Sequence, residues 1–155
     1  MLILLDIDGV MVRAKSWESP QALEDGFYGF DQRAVDALNA IIAGSEAEIV
    51  LTTSHKYSFS IDQWVNIFNN RGVNISTISR LDRNDNHKNR KDEIANWFSN
   101  SSNVQDFVIL DDDKSLNGLS PILKDRLILT SAMVGLTKNH INDALSILAT
   151  PLERV

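Results

Sequence analysis

Asp6 and Asp8 stand two residues apart at the end of an apolar run, residues 1–5, and Gly9 follows at once. In an extended strand successive side chains alternate faces, so the two carboxylates are expected on one side and Ile7 on the other. Paired acids at a strand end make an oxygen-only donor set suited to a hard divalent cation. Gly9, lacking a Cβ, lets the backbone turn sharply and approach a ligand. A second acidic run, Asp111, Asp112 and Asp113, ends the apolar stretch 107–110, and Thr53 and Ser54 stand at the end of a third stretch, 47–53. Lys91 opens a helical pattern, where a cation opposes the helix macrodipole and a negative ligand would reverse the penalty. Carboxylates from two strands can hold Mg²⁺, which prefers octahedral oxygen ligation and keeps waters and a substrate phosphate. A carboxylate can also attack phosphorus and divide a hydrolysis into two displacements through an aspartyl phosphate. A hydroxyl and an ammonium group can then stabilise the charge on the transferring oxygens. The set reads as a phosphoryl-transfer centre.

The elements that must position these groups alternate between short apolar runs and helical periods, the signature of an α/β domain with a mostly parallel sheet. Asp31 can cap a helix carrying Ala34, Leu38, Ile41 and Ile42, with Gly44 as its expected end. Ser60 and Gln63 make a capping box ahead of Ile61, Trp64, Val65 and Phe68, and Gly72 stops that helix. The stretch 73–78 is an expected third strand, 91–99 a helix with Ile94, Trp97 and Phe98 on one face, 107–110 a fourth strand and 126–130 a fifth. A last helix is expected from Thr137, carrying Ile141, Ala144, Leu145 and Leu148. In open parallel sheets ligands sit beyond the carboxyl ends of the strands where strand order reverses, and the acids and hydroxyls fall at such ends.

The chain has 155 residues, enough for one domain with a sizeable core. Zero cysteines remove disulfides, thiolate metal sites and a cysteine nucleophile. The apolar start is broken by Asp6 and has no basic segment before it, so neither a signal peptide nor a membrane span is expected, and a cytoplasmic protein is. A net charge of −6 argues against a broad nucleic-acid surface, where affinity comes from neutralising phosphates. It is compatible with action on a nucleic-acid end.

Asp-x-Asp-Gly, then a strand ending in Thr or Ser, then a Lys, then a strand ending in paired acids resembles the haloacid dehalogenase (HAD) superfamily over nearly the whole chain. The resemblance implies one three-layer, Rossmann-like α/β domain over residues 1–155, with a mostly parallel five-stranded sheet and minimal or no cap. It implies Asp6 as nucleophile and Asp8 as the general acid and base whose backbone carbonyl also reaches the metal. Thr53 would be the phosphate-binding hydroxyl with Ser54 beside it, Lys91 the phosphate-site lysine, and Asp112 a Mg²⁺ ligand assisted by Asp111. Lys88 is the rival of Lys91, which is preferred for its spacing to Ile94 and Trp97. Within the superfamily, LLDIDGV, IVLTTSHK, VILDDD and VGLTKNHINDAL resemble the small HAD domains grouped with bacterial RNA-repair proteins. Ser54, His55 and Lys56 stand where those domains carry a small residue, Trp and Arg. The acid at Asp8 disfavours a dehalogenase or a P-type pump, and the order of acids disfavours a response-regulator receiver.

The expected activity is Mg²⁺-dependent hydrolysis of a phosphomonoester. Two alternatives are a phosphate- or metal-dependent binding module without turnover, and a polynucleotide-end phosphatase subunit of a nucleic-acid repair assembly. A homo-oligomer would supply the lid that the open site lacks. Asp113 reads as support for its neighbours or as an exposed acid, and His55 as a candidate substrate contact, whereas His87 and His140 suggest no role. Trp17, Phe27, Tyr28 and Phe30 read as a flap or as packing. Arg80, Arg83, Lys88 and Arg90, alternating with Asp82 and Asp85, read as a solvated loop, with a nucleic-acid contact as the alternative.

Overall fold

The central strands of this chain are short and apolar on both faces, as strands covered by helices on two sides are. In the computed structural model, which describes residues 1–14, 21–102 and 104–152, β1 (Leu2–Leu5), β2 (Glu48–Leu51), β3 (Ser79–Arg80), β4 (Phe107–Asp111) and β5 (Leu127–Leu129) form one sheet. Its order is β3-β2-β1-β4-β5, with every neighbouring pair parallel. Strand order reverses between β1 and β4, and ligands of open α/β sheets bind beyond the strand ends at such a point.

Alternation along the strands sorts the core into two. Ile3, Leu5, Ile49, Leu51, Val108 and Leu110 pack with α1 (Gln32–Ser45), α2 (Ile61–Asn70) and α5 (Ile141–Ala149). Leu4, Val50, Phe107 and Ile109 pack with α3 (Arg90–Asn100) and the short α4 (Pro121–Lys124). The three layers follow from this parity. α1 is capped by Asp31, whose carboxylate accepts from Arg33 N, and α2 by the expected reciprocal box of Ser60 and Gln63.

Three boundaries differ from the sequence expectation. The third strand is Ser79–Arg80 and not 73–78, because Asn69 Oδ1 accepts from Ile75 N and holds that stretch to the end of α2. Gly44 does not end α1, which runs to Ser45 and closes on Glu46 in the left-handed region at φ 57°. At Gly44 a Cβ would come within 2.9 Å of Leu145 Cδ2, so the glycine serves the close approach of α5. The last helix begins as a helical turn, Lys138–His140, before α5.

The described part of the stretch between β1 and α1 carries one isolated antiparallel bridge, Ala22 to Tyr28, in place of a cap domain. Arg71 straps it down. Its guanidinium donates to the carbonyls of Tyr28 at 2.6 Å and Phe27 at 2.9 Å and pairs with Asp25 at 2.5 Å, which holds the Asp25 carboxyl well below its usual range. Phe27 is buried against Trp64 and Phe59, so the flap residues among 21–30 are packed, whereas Trp17 lies outside the described residues. Among the described residues no helix is long and apolar enough to cross a membrane.

Candidate active site

The pairing register brings Leu5 level with Leu51 on one side and Leu110 on the other, so the next residues, Asp6, Thr52 and Asp111, form one row. Asp6 N donates to Leu110 O and Thr52 N to Leu5 O, both at 3.0 Å, which carries the ladder into that row. All three share parity with Leu4, Val50 and Ile109, and therefore emerge on the face covered by α3. Asp112 joins from the turn after β4, and carboxylate oxygens of Asp6, Asp111 and Asp112 lie within 4.8 Å of one another.

Buried carboxylates at such distances need compensation. Arg90, the first residue of α3, supplies it with a terminal nitrogen 2.6 Å from Asp111 Oδ2 and 3.3 Å from Asp6 Oδ1. One turn along, Glu93 lies 3.9 Å from Arg90 Nε and accepts from the buried Lys56 Nζ at 2.9 Å. The Thr52 hydroxyl donates to Asp111 at 3.5 Å, and Asp111 Oδ1 accepts from Asp113 N at 3.0 Å. Asp113 itself caps the helical turn Lys114–Gly118 through Ser115 N.

Four carboxylates, Asp6, Asp111, Asp112 and Glu93, face two cations, Arg90 and Lys56, which leaves two negative charges when every acid is ionised. Burial, then the charge of Asp111, pushes the Asp6 carboxyl up to about 9 against the pull of Arg90, with a hydrogen bond to Asp112 adding to the rise. Burial also raises Asp112. Without a cation the cluster therefore holds a proton at neutral pH. An all-oxygen set of three crowded carboxylates with two charges uncompensated fits a hard divalent ion.

Asp8 is not in the cluster. β1 ends at Leu5, and the chain winds about the Ile7 carbonyl, which accepts from Val10, Met11 and Val12 N at 3.1, 2.8 and 3.1 Å. The pleat that would have kept Asp6 and Asp8 together is lost in this turn. The Asp8 side chain is 52% exposed, and its Oδ2 lies 2.9 Å from His55 Nε2. Gly9, at φ +82°, is the pivot, and a Cβ there would overlap the Asp112 carboxylate. Gly9→Ala is expected to cost about 2–4 kcal/mol from left-handed strain and overpacking, seen as a lower urea midpoint at unchanged m-value.

Thr53 has the opposite parity from Thr52. It is fully buried, and its hydroxyl accepts from His55 N at 3.3 Å, away from the acid row. Ser54 is exposed and lines a cavity of about 260 Å³ with Tyr57, Arg83 and Asn84. Arg80 and Arg83 lie 4.0 and 4.4 Å from the Tyr57 ring centre. Lys91 does not reach the acids: one residue around a helix is a turn of about 100°, and its side chain lies over Gly118. Lys88 is exposed, its backbone held by the Asn84 side chain. Arg90, placed by its sequence context in a solvated loop, is instead a half-buried cation of the site.

The family model for the HAD domain in Swiss Army Knife RNA repair proteins matches residues 2–141. The chain belongs to this HAD family. No curated protein and no solved structure matches it. The parallel five-stranded sheet and the strand-end acids of this HAD domain agree with that assignment. Four residues of its site escaped the sequence reading, Arg90, Glu93, Lys56 and Thr52, while His55, read there as a candidate substrate contact, pairs with Asp8. Parity counted from Val50 singles out Thr52, whereas the spacing to the buried Ile94 admits both Arg90 at i, i+4 and Lys91 at i, i+3. The Lys56–Glu93 and His55–Asp8 contacts join distant segments and leave no such local trace.

Proposed function

We propose that this HAD domain is a Mg²⁺-dependent phosphomonoester hydrolase that works through an aspartyl phosphate on Asp6. The observation that carries the reading is the meeting of Asp6, Asp111 and Asp112 with Arg90 at the reversal point of the sheet. Asp6, Asp111 and Asp112 would hold the ion, and a bound Mg²⁺ would neutralise charge on the phosphoryl oxygens and favour the ionised form of Asp6. An Asp6 oxygen attacks phosphorus as the bond to the leaving oxygen breaks, and Asp8 gives that oxygen its proton. Asp8 then takes a proton from water, whose oxygen attacks the same phosphorus. The Asp6–phosphorus bond breaks and inorganic phosphate leaves. Arg90 stands beside the nucleophile, where its guanidinium can neutralise the transferring group, and Ser54 offers a hydroxyl at the mouth.

A polynucleotide end is the substrate class favoured by the family's RNA-repair description and by the cavity beside Ser54, where Arg83 stacks on Tyr57. Guanidinium and aromatic surfaces of this kind receive bases and phosphates. The lack of cysteine suits a cytoplasmic setting.

p-Nitrophenyl phosphate and oligoribonucleotides bearing a 5′- or 3′-terminal phosphate are expected to release phosphate in Mg²⁺ and not in EDTA. Preference for one oligonucleotide end over the aryl ester supports the polynucleotide reading. Release from none of them in Mg²⁺ overturns the hydrolase. In that case a rise in melting temperature with vanadate and Mg²⁺ marks a binding module.

A further inference from the structure

His55 occupies a position that the phosphoryl chemistry above leaves unused. Its Nε2 lies 2.9 Å from Asp8 Oδ2, and its ring stands edge-on to Phe27 at 5.5 Å and Tyr28 at 5.8 Å. Those two rings stack on each other at 4.6 Å, and the backbone carbonyls of both accept from Arg71. The His55 amide is tied in turn to the Thr53 hydroxyl. The imidazole is thus fixed from its backbone, from the two aromatic rings beside it and, through Arg71, from the end of α2. Asp8 is half-exposed and among the described residues has no other side-chain partner within hydrogen-bond distance. A free carboxylate at a solvent-open mouth samples several rotamers.

We infer that His55 is a positioning residue that holds the Asp8 carboxylate in the orientation needed to protonate the leaving oxygen. The inference rests on the hydrolase reading and adds to it a residue that supports the acid without touching the reacting atoms. The strapped bridge of residues 22–28 then acts as a miniature cap: it reaches the chemistry through Phe27, Tyr28 and His55, in place of a separate lid domain.

Protonation of the leaving oxygen matters in proportion to how poor a leaving group it is, since a nitrophenolate departs without help and an alkoxide does not. Misplacing a catalytic group by about an ångström costs on the order of 100-fold. His55→Phe keeps an aromatic ring against Phe27 and Tyr28 and removes the hydrogen bond. With the full chain in Mg²⁺, it is expected to lower kcat for glycerol 2-phosphate by about 10- to 100-fold, and for p-nitrophenyl phosphate by less than about threefold. KM for both esters should change little. His55→Gln, which can return a donor near the Nε2 position, should recover part of the loss on glycerol 2-phosphate. Equal losses on both esters, or no loss on either, overturn the inference. A second measurement does not depend on turnover. In the metal-free protein, the ¹⁵N–¹H spectrum of labelled histidine should show a protected His55 Nε2 proton that disappears in Asp8→Ala. Its absence from the wild type overturns the contact. A wild type that hydrolyses neither ester while keeping that proton overturns the hydrolase reading, and with it the positioning role, and leaves the contact standing.

Discussion

Asp6→Asn is expected to remove phosphate release by about 10⁴-fold or more, and at the same time to raise the melting temperature of the metal-free protein. The first effect follows from the nucleophilic role proposed for Asp6. The second follows from its surroundings, because burial and the charge of Asp111 push the Asp6 carboxyl up to about 9 in the folded chain. In the unfolded chain it ionises near its ordinary value of 3.8. Between those values folding takes up a proton, so the wild type loses stability as pH rises, whereas the amide, which carries no charge, contributes no such loss. The two proteins should melt alike near pH 3.5, separate through neutral pH and differ most above pH 9. At pH 8 in EDTA the variant should be more stable by about 1–3 kcal/mol, the scale of an unfavourable buried polar or charged group. Mg²⁺ should stabilise the wild type more than the variant and narrow or reverse the difference. Thermal melts across pH, with and without the ion, test all of this beside a phosphate-release assay. A wild type that outlasts the variant at pH 8 in EDTA would contradict the crowding of acids around Asp6.

The second large effect belongs to Arg90. Arg90→Met keeps most of the apolar stem and removes the charge that Asp6 and Asp111 share. Breaking a buried ion pair from one side typically costs about 3–5 kcal/mol, and that is the loss expected at pH 8 without metal. The sign with pH is opposite to that of Asp6→Asn: without the cation the acids take up protons more readily, so the deficit shrinks toward pH 5. A deficit that does not change with pH would place the cost in packing and not in charge. Phosphate release should fall by about 10²–10³-fold, the usual loss when one group that stabilises developing charge is removed. Arg90→Lys should restore only part of either property, since one ammonium cannot meet two carboxylates with the geometry of a planar guanidinium.

The alternation of short strands with helices and the acids at the ends of β1 and β4 could be read from local sequence, because each depends on one short segment. Leu2–Leu5 and Phe107–Asp111 are apolar runs that stop at a carboxylate, and the Ser60–Gln63 box is complete within four residues. Other features depended on phase. Lys91 and Arg90 are both compatible with an inward-facing Ile94, one at i+3 and the other at i+4, and only packing chooses between them. Thr52 and Thr53 differ by one step of the pleat, and that step separates the acid row from the far face of the sheet. Asp8 stands outside the carboxylate cluster for a different reason. The alternation rule holds while the backbone stays extended, and here it fails after Leu5, where the Ile7 carbonyl gathers three amides into a turn. The third strand shifted because a side chain, Asn69, captured backbone that would otherwise have joined the ladder.

The pairing of β1 with β4 also bears on how the protein is made. Asp6 leaves the ribosome well before Asp111, Asp112 and the helix that carries Arg90, which follow only after two further strands and two helices have been synthesised. Throughout that interval β1 ends in a solvated, ordinary aspartate, and neither crowding nor compensation acts on it. The crowded, charge-compensated setting of Asp6 is therefore a property of the finished sheet, and a nascent chain lacks it until its fourth strand docks.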